Sequence, residues 1–220
     1  MKLMHPILNA PLDFEEGPIK RLVIENKHLY YSCVSEITNQ GNDEGGEFVL
    51  SKNNDILELS KSAKIVSDFH NFELSRKEIN KLLSYLETKA TQEFTKELSE
   101  INRMALSITD LLLVNENQNV FYNEFSFIDF IKMMRIEVRF DESSTLVEKV
   151  VEYIRFLNEY DMADFFIICG ISRYIEPEEY ILICDKLISV NVSLLFVDSD
   201  SGIEPLTIES VIIDKDLCVI

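Results

Sequence analysis

The spacing of apolar and polar positions changes twice along this chain. Near the start, Leu22-Val23-Ile24 and Phe48-Val49-Leu50 are short apolar runs of the kind that form strands. Near the end, Phe165-Phe166-Ile167-Ile168-Cys169 and Val192-Ser193-Leu194-Leu195-Phe196-Val197 read as buried strands again. Between them, from about Ser75 to Leu157, apolar residues recur every three or four positions. Such a stretch is not a loop, because structureless loops beyond about 15 residues are uncommon in compact domains. The pattern predicts an α/β head assembled from residues 1–74 and 158–220, with an α-helical arm inserted over 75–157. An arm of that kind offers a surface for self-assembly or for gripping something large.

Finer elements follow from the same periods. Residues 3–14 form a strand or hairpin broken by Pro6 and Pro11, Arg21–Glu25 a strand, and Lys27–Thr38 an amphipathic helix. Asn39–Gly46 is an exposed turn, with strands expected around Phe48–Leu50 and Lys64–Leu74. Ser75, three residues before Glu78, has the spacing of a capping box at a helix start. From there Ile79, Leu83, Leu86, Ala90, Phe94, Leu98, Ile101, Ala105, Ile108 and Leu112 carry one helix to about Val114. At about 1.5 Å per residue it would be roughly 60 Å long, which favours packing against other helices or another subunit. The second reading is a kinked helix packed only within its own chain. Shorter helices are expected over Ser126–Met134, Thr145–Leu157 and Pro177–Ser189, and a terminal pair of strands over Val211–Ile213 and Leu217–Ile220. Alternating strands and helices in the C-terminal part predict a mainly parallel sheet.

Composition narrows the class. With 46% apolar residues in 220, the chain can bury a core, and no apolar run approaches the 18 or so residues of a membrane span. The N-terminus shows no apolar secretory segment, and Cys33, Cys169, Cys184 and Cys218 form no CxxC pair, which together point to a cytoplasmic protein. The formal charge is −18, but residues 75–157 hold 11 Lys+Arg against 14 Asp+Glu, a balance of only −3. An acidic exterior that keeps the protein soluble accounts for the sum. The segregation also allows one basic face toward a polyanion.

Most catalytic motifs are missing. A phosphate loop needs glycines with a Lys that neutralises phosphate, whereas the only glycine cluster, Gly41–Gly46, is flanked by acids and lacks that Lys. ATP binding at that loop is rejected. His5, His28 and His70 have no metal spacing, and there is no G-x-S-x-G elbow. The run from Asp198 to Gly202 departs from a calcium loop at the turn position and reads as a polar turn after a strand. Asp110, Glu116, Glu124 and Asp129 lie where the helices turn around, and either bind Ca²⁺ or form a solvated acidic hinge. Lys132, Arg135 and Arg139 share one face if their helix persists, a stripe suited to successive phosphates without base readout. If Ile136–Phe140 is instead a strand, the stripe is broken. A solvent-facing basic stripe with no partner is the competing reading.

Several segments in order, His5-Pro6-Ile7-Leu8-Asn9-Ala10-Pro11-Leu12, Leu22–Glu25, Ile108–Leu111, Phe130–Lys132, Thr145–Lys149, Val192–Val197 and Ile213–Asp216, carry a likeness to a known family. The chain resembles the signature adaptation protein of subtype II-A CRISPR–Cas systems. The resemblance implies a head like a degraded phosphate-loop ATPase without an ATPase site, a helical arm, and four subunits closed into a ring. It further implies that double-stranded DNA ends thread the ring against Lys/Arg side chains, with Lys132 at a matching position and Arg135 and Arg139 nearby. Ca²⁺ is the implied cofactor, but the family's dense acidic run is shortened here to Asn115–Glu124, where only Glu116 and Glu124 are acidic. The implied role is non-catalytic: spacer acquisition for antiviral defence, together with the CRISPR integrase complex and the RNA-guided effector nuclease. The alternatives are a nucleotide-dependent enzyme with an unrecognised phosphate site, or an acidic scaffold that binds only proteins.

Overall fold

The computed structural model describes residues 1–114, 126–141, 143–199 and 208–220. Contacts divide the chain into two units, Met1–Phe72 with Phe140–Ile220, and Glu73–Arg139. No helix among the described residues is long and apolar enough to cross a membrane.

The first unit is built on two sheets. Strands β1 (Lys2–Met4), β2 (Leu12–Asp13) and β3 (Ile19–Ile24) precede helix α1 (Lys27–Gly41). Strands β4 (Val49–Lys52) and β5 (Asp55–Leu57), the one-turn helix α2 (Leu59–Ser62) and β6 (Ala63–Val66) follow. Strands β2-β1-β4-β5 form a small antiparallel sheet. After the second unit the chain continues through α6 (Leu146–Glu159), β7 (Phe165–Cys169), a 3₁₀ turn at Ile171–Arg173, α7 (Pro177–Leu187), β8 (Ser193–Asp198) and β9 (Glu209–Ile213). The main sheet, in the order β6-β7-β8-β3-β9, is parallel throughout, as the alternation of elements predicts. Of the expected terminal pair of strands only β9 forms: the second is reduced to an isolated bridge of Val219 with Ile213, beside which Ile220 and Ile212 exchange backbone hydrogen bonds.

Side-chain parity sorts the main sheet into two faces. Leu22, Ile24, Phe165, Ile167, Cys169, Leu195 and Val197 join one core with Cys33 and Ile37 of α1 and with Leu3, Phe14 and Leu50 of the small sheet and its neighbours. The opposite face carries Arg21, Phe196 and Asp198, and meets Tyr180 of α7. Arg21 Nε donates to Asp198 Oδ2 at 2.9 Å, the Tyr180 hydroxyl donates to the same oxygen at 2.6 Å, and Ser172 N–H donates to Oδ1 at 3.2 Å. The guanidinium also lies 5.4 Å from the Tyr180 ring centre. Arg21 and Asp198 are only 1% and 0% exposed, so this ion pair is sealed inside the fold.

The second unit holds α3 (Arg76–Glu93), α4 (Thr95–Leu113) and α5 (Phe127–Met133). Ser75 caps α3 through the expected box with Glu78. The single helix expected to Val114 is corrected: it breaks at Phe94, whose backbone leaves the helical region at φ −124°, ψ 33°. Threonines cluster at the break. Thr88, Thr91 and Thr95 each donate a hydroxyl to the carbonyl four residues back, at 2.9, 2.8 and 2.7 Å, a pattern that bends helices. The helical arm drawn over 75–157 also differs from this unit, because Phe140–Leu157 groups with the sheet. Helix α6 has the same period as an arm helix, but it buries Val147, Val150, Val151, Tyr153, Ile154 and Leu157. Period alone does not say what a helix packs against.

Two outcomes test this core. Asp198→Ala leaves a buried guanidinium without its charge partner and should lower the unfolding free energy by about 3–5 kcal/mol in urea titrations, while Arg21→Met with Asp198→Leu should recover much of the loss. An unchanged midpoint for Asp198→Ala would show that the pair does not hold the sheet. The second outcome concerns alkali. Burial pushes the thiols of Cys33, Cys169 and Cys184 up from 9.0 to about 11, about 12 and about 12, and the Tyr30 phenol from 10.0 to about 12. The folded state therefore keeps protons that the unfolded chain releases, so this stabilisation is complete below pH 9 and is lost as pH rises towards 12. Denaturant midpoints should fall from pH 8.5 to pH 11, and less steeply in Cys169→Ala.

Candidate nucleic-acid interface and the cavity at the strand ends

In the main sheet, the strand order places β3 between β8 and β9, so the chain leaves β3 towards β6 on one side and returns as β9 on the other. Open α/β sheets bind ligands outside the carboxyl ends of their strands at such a reversal. A cavity of about 630 Å³ opens there, reached by Lys27 after β3, Ser67 after β6, Cys169 and Gly170 at the end of β7, and Ser199 after β8. Gly170 is needed by geometry: its φ is +78°, and a Cβ would stand 2.8 Å from the Tyr30 hydroxyl. The glycine thus lets Tyr30 of α1 seat against the strand end.

The connection from β3 to α1 is only Glu25 and Asn26. Asn26 caps the helix by accepting from His28 N–H and Leu29 N–H, each at 3.1 Å, so these amides are already engaged. A phosphate-cradling loop has no room there. The glycine cluster that sequence reasoning tested lies instead at the end of α1 and in its connection to β4.

The sequence-derived cations lie in the second unit. Lys132 is exposed in the last turn of α5. The helix stops at Met133, so the expected shared helix face of Lys132, Arg135 and Arg139 does not form. Arg135 N–H donates to Lys132 O at 3.2 Å, which keeps those two on one turn, with Arg135 in the left-handed region at φ 51°. Arg139 follows in the irregular segment 136–140, where a strand was the other expectation, and Arg139 Nη2 meets Glu137 Oε2 at 2.6 Å. Lys89 of α3, and Lys96 and Arg103 of α4, are further exposed cations of this unit that the stripe left out. Their spacing of seven residues was the available signal, although the break at Phe94 separates the first from the other two.

The acidic group is less complete. Asp110 lies exposed on α4, and Asp129 lies in the first turn of α5, where its carboxylate accepts from the Ser126 hydroxyl. Glu116 and Glu124 lie outside the described residues. Among the described residues no three His, Cys, Asp or Glu side chains converge to hold a metal. Asp198, first in the run compared with a calcium loop, is the buried partner of Arg21 instead. His5 is buried too: it stacks on Phe48 with ring centres 4.2 Å apart, accepts from Ile7 N–H at 3.2 Å, and faces Glu36.

α4 presents the other notable surface. It buries no residue, and Met104, Ile108 and Leu111 recur at steps of four and three with exposures of 57%, 61% and 74%. A 19-residue amphipathic helix with several of its apolar positions exposed is incomplete as a packed element.

A comparison with known families assigns the chain to one of them. The family model described as CRISPR-associated protein (Cas_Csn2) matches residues 40–217. That span begins at the end of α1, contains the whole helical unit, and runs past β9 into the terminal turn. It also includes the segments from Ile108 onward on which the sequence resemblance rests, though not His5–Leu12 or Leu22–Glu25. With the match covering well over half of its length, this chain belongs to the Csn2 family of CRISPR-associated proteins.

Proposed function

We propose that this protein is a non-catalytic homotetrameric ring that holds double-stranded DNA ends during CRISPR spacer acquisition, alongside the integrase complex and the RNA-guided effector nuclease. Membership of the CRISPR-associated family carries the reading. Charge supports it: residues 73–139 hold 9 Lys+Arg and 11 Asp+Glu, a balance of −2, leaving −16 on the rest. DNA would meet the helical unit with least repulsion, and contacts from Lys132, Arg135 and Arg139 to phosphates would be indifferent to base sequence. The exposed apolar positions of α4 fit a second copy of the same chain, because a closed ring of identical subunits needs a repeated interface. The two-residue turn after β3 argues against the alternative of a phosphate-loop enzyme.

Assembly is tested by light scattering at micromolar concentration, which should report four times the 25.5 kDa chain mass. Ile108→Asp with Leu111→Asp should lower that mass, whereas a strictly monomeric parent protein in moderate salt would remove the ring.

Binding is tested with linear and covalently closed duplexes. The linear form should bind without sequence preference, and the closed circle should not. Affinity should fall by about 10³-fold or more between 50 and 200 mM salt if about six phosphates are neutralised. Lys132→Ala, Arg135→Ala and Arg139→Ala together should weaken every sequence alike and flatten the salt slope. Equal affinity for closed circles would overturn threading, and normal binding by the triple variant would overturn this choice of residues.

A further inference from the structure

The cavity at the strand ends has a chemical character unlike the rest of the molecule. The chain has 39 Asp+Glu against 21 Lys+Arg, yet none of the described residues lining this cavity is acidic. Lys27 and Arg173 both reach it, and neither makes an ion pair among the described residues. Ser67 and Ser199 also line it, together with the aromatic residues Tyr30, Tyr31, Phe69 and Tyr174. Phe69 and Tyr174 lie 5.5 Å apart between ring centres, tilted by 58°, and Tyr30 approaches from α1. The 630 Å³ falls within the range of about 300–1,000 Å³ typical of small-molecule sites.

Each component selects part of a ligand. Two cations in a lining with no acidic residue among those described favour an anion of about two charges, the charge of a phosphomonoester at neutral pH. A Mg²⁺-bound triphosphate fits poorly, since its metal is usually anchored by one or two carboxylates and no acidic residue is among the described residues of this lining. Aromatic faces beside the cations favour a planar base attached to that phosphate. Capping by Asn26 engages amides of the first turn of α1, so recognition of the anion falls to the side chains.

We propose that this cavity binds a nucleoside monophosphate, with Lys27 and Arg173 holding the phosphate and the aromatic side chains holding the base. The same chemical group occurs as a free nucleotide and as the 5′-phosphorylated end of a DNA strand. All of the described lining residues belong to the first unit, whereas Lys132, Arg135 and Arg139 belong to the second. The proposal therefore does not require the duplex-binding reading to hold.

Calorimetry on the full chain in low salt separates the outcomes. Deoxyadenosine monophosphate should bind saturably, and deoxyadenosine at least about tenfold more weakly, as expected when charge-assisted contacts to phosphate are lost. Lys27→Ala with Arg173→Ala should cost about tenfold or more without moving the thermal midpoint, because both side chains are exposed. Tyr174→Ala should weaken the nucleotide but not inorganic phosphate. The Lys132, Arg135 and Arg139 triple variant should bind the nucleotide normally.

Single-stranded oligonucleotides with a 5′-phosphate or a 5′-hydroxyl then identify the source. A preference for the phosphate that disappears in the Lys27/Arg173 variant assigns the cavity to strand ends. Saturable monophosphate binding without that preference assigns it to free nucleotide. Absence of both overturns the proposal. So does normal binding by the Lys27/Arg173 variant, or tighter binding of Mg²⁺-ATP than of the monophosphate.

Discussion

The buried pairing of Arg21 with Asp198 sets a constraint that the architecture of the first unit has to meet. Two charges in a low-dielectric interior are unfavourable unless each is matched in geometry and hydrogen bonding. Here the carboxylate receives Arg21, the Tyr180 hydroxyl and the Ser172 amide. These donors come from β3, α7 and the 3₁₀ turn after β7, so satisfying one carboxylate fixes the mutual placement of three elements around β8. Burial and the neighbouring Asp198 charge push the Tyr180 phenol upward, keeping it a neutral donor. Register follows as well. Sliding β3 by one residue would turn Arg21 into the apolar core shared with α1 and leave Asp198 unpaired.

That constraint acts where the strands end. Asp198 closes β8, Ser199 reaches the cavity, and Ser172 and Arg173 occupy the turn that follows Gly170. The same turn thus contributes an amide to the buried carboxylate and, to the cavity, a guanidinium that makes no ion pair among the described residues. A rigid floor beneath a cation is a requirement for recognising a small anion, since a mobile cation loses entropy on binding. The two features are neighbours through covalent chain rather than through loose packing.

Sequence alone reveals what is local. The buried strands β7 and β8 are visible as apolar runs, and the cap of α3 as Ser75 with Glu78. The parallel sheet follows from alternation of elements. What was not legible depends on distant partners. Arg21 looks like the polar start of a strand and Asp198 like the head of a polar turn, because their mutual satisfaction links positions 177 residues apart. β5 carries too few residues to show a period. The break at Phe94 was obscured because Phe94 itself keeps the heptad spacing while its backbone leaves the helix. The shared face of Lys132, Arg135 and Arg139 required the helix to persist past its expected end at Met134, whereas the chain turns at Arg135 into a conformation that no hydrophobic pattern records.

Net charge is the remaining point at which a global number misleads. A charge of −18 suggests a molecule closed to anions, but charges act over a distance set by salt. At physiological ionic strength the screening length is about 8 Å, short beside the dimensions of a two-unit protein. An anion approaching Lys27 and Arg173 responds mainly to the residues lining that cavity, none of them acidic among those described. A duplex approaching the helical unit meets a balance of −2 spread over 67 residues, with exposed cations at Lys89, Lys96, Arg103 and Lys132. The acidic remainder then acts by exclusion, disfavouring anions wherever no cation answers them. Specific anion binding on such a protein needs no large basic patch, only places from which carboxylates have been kept out.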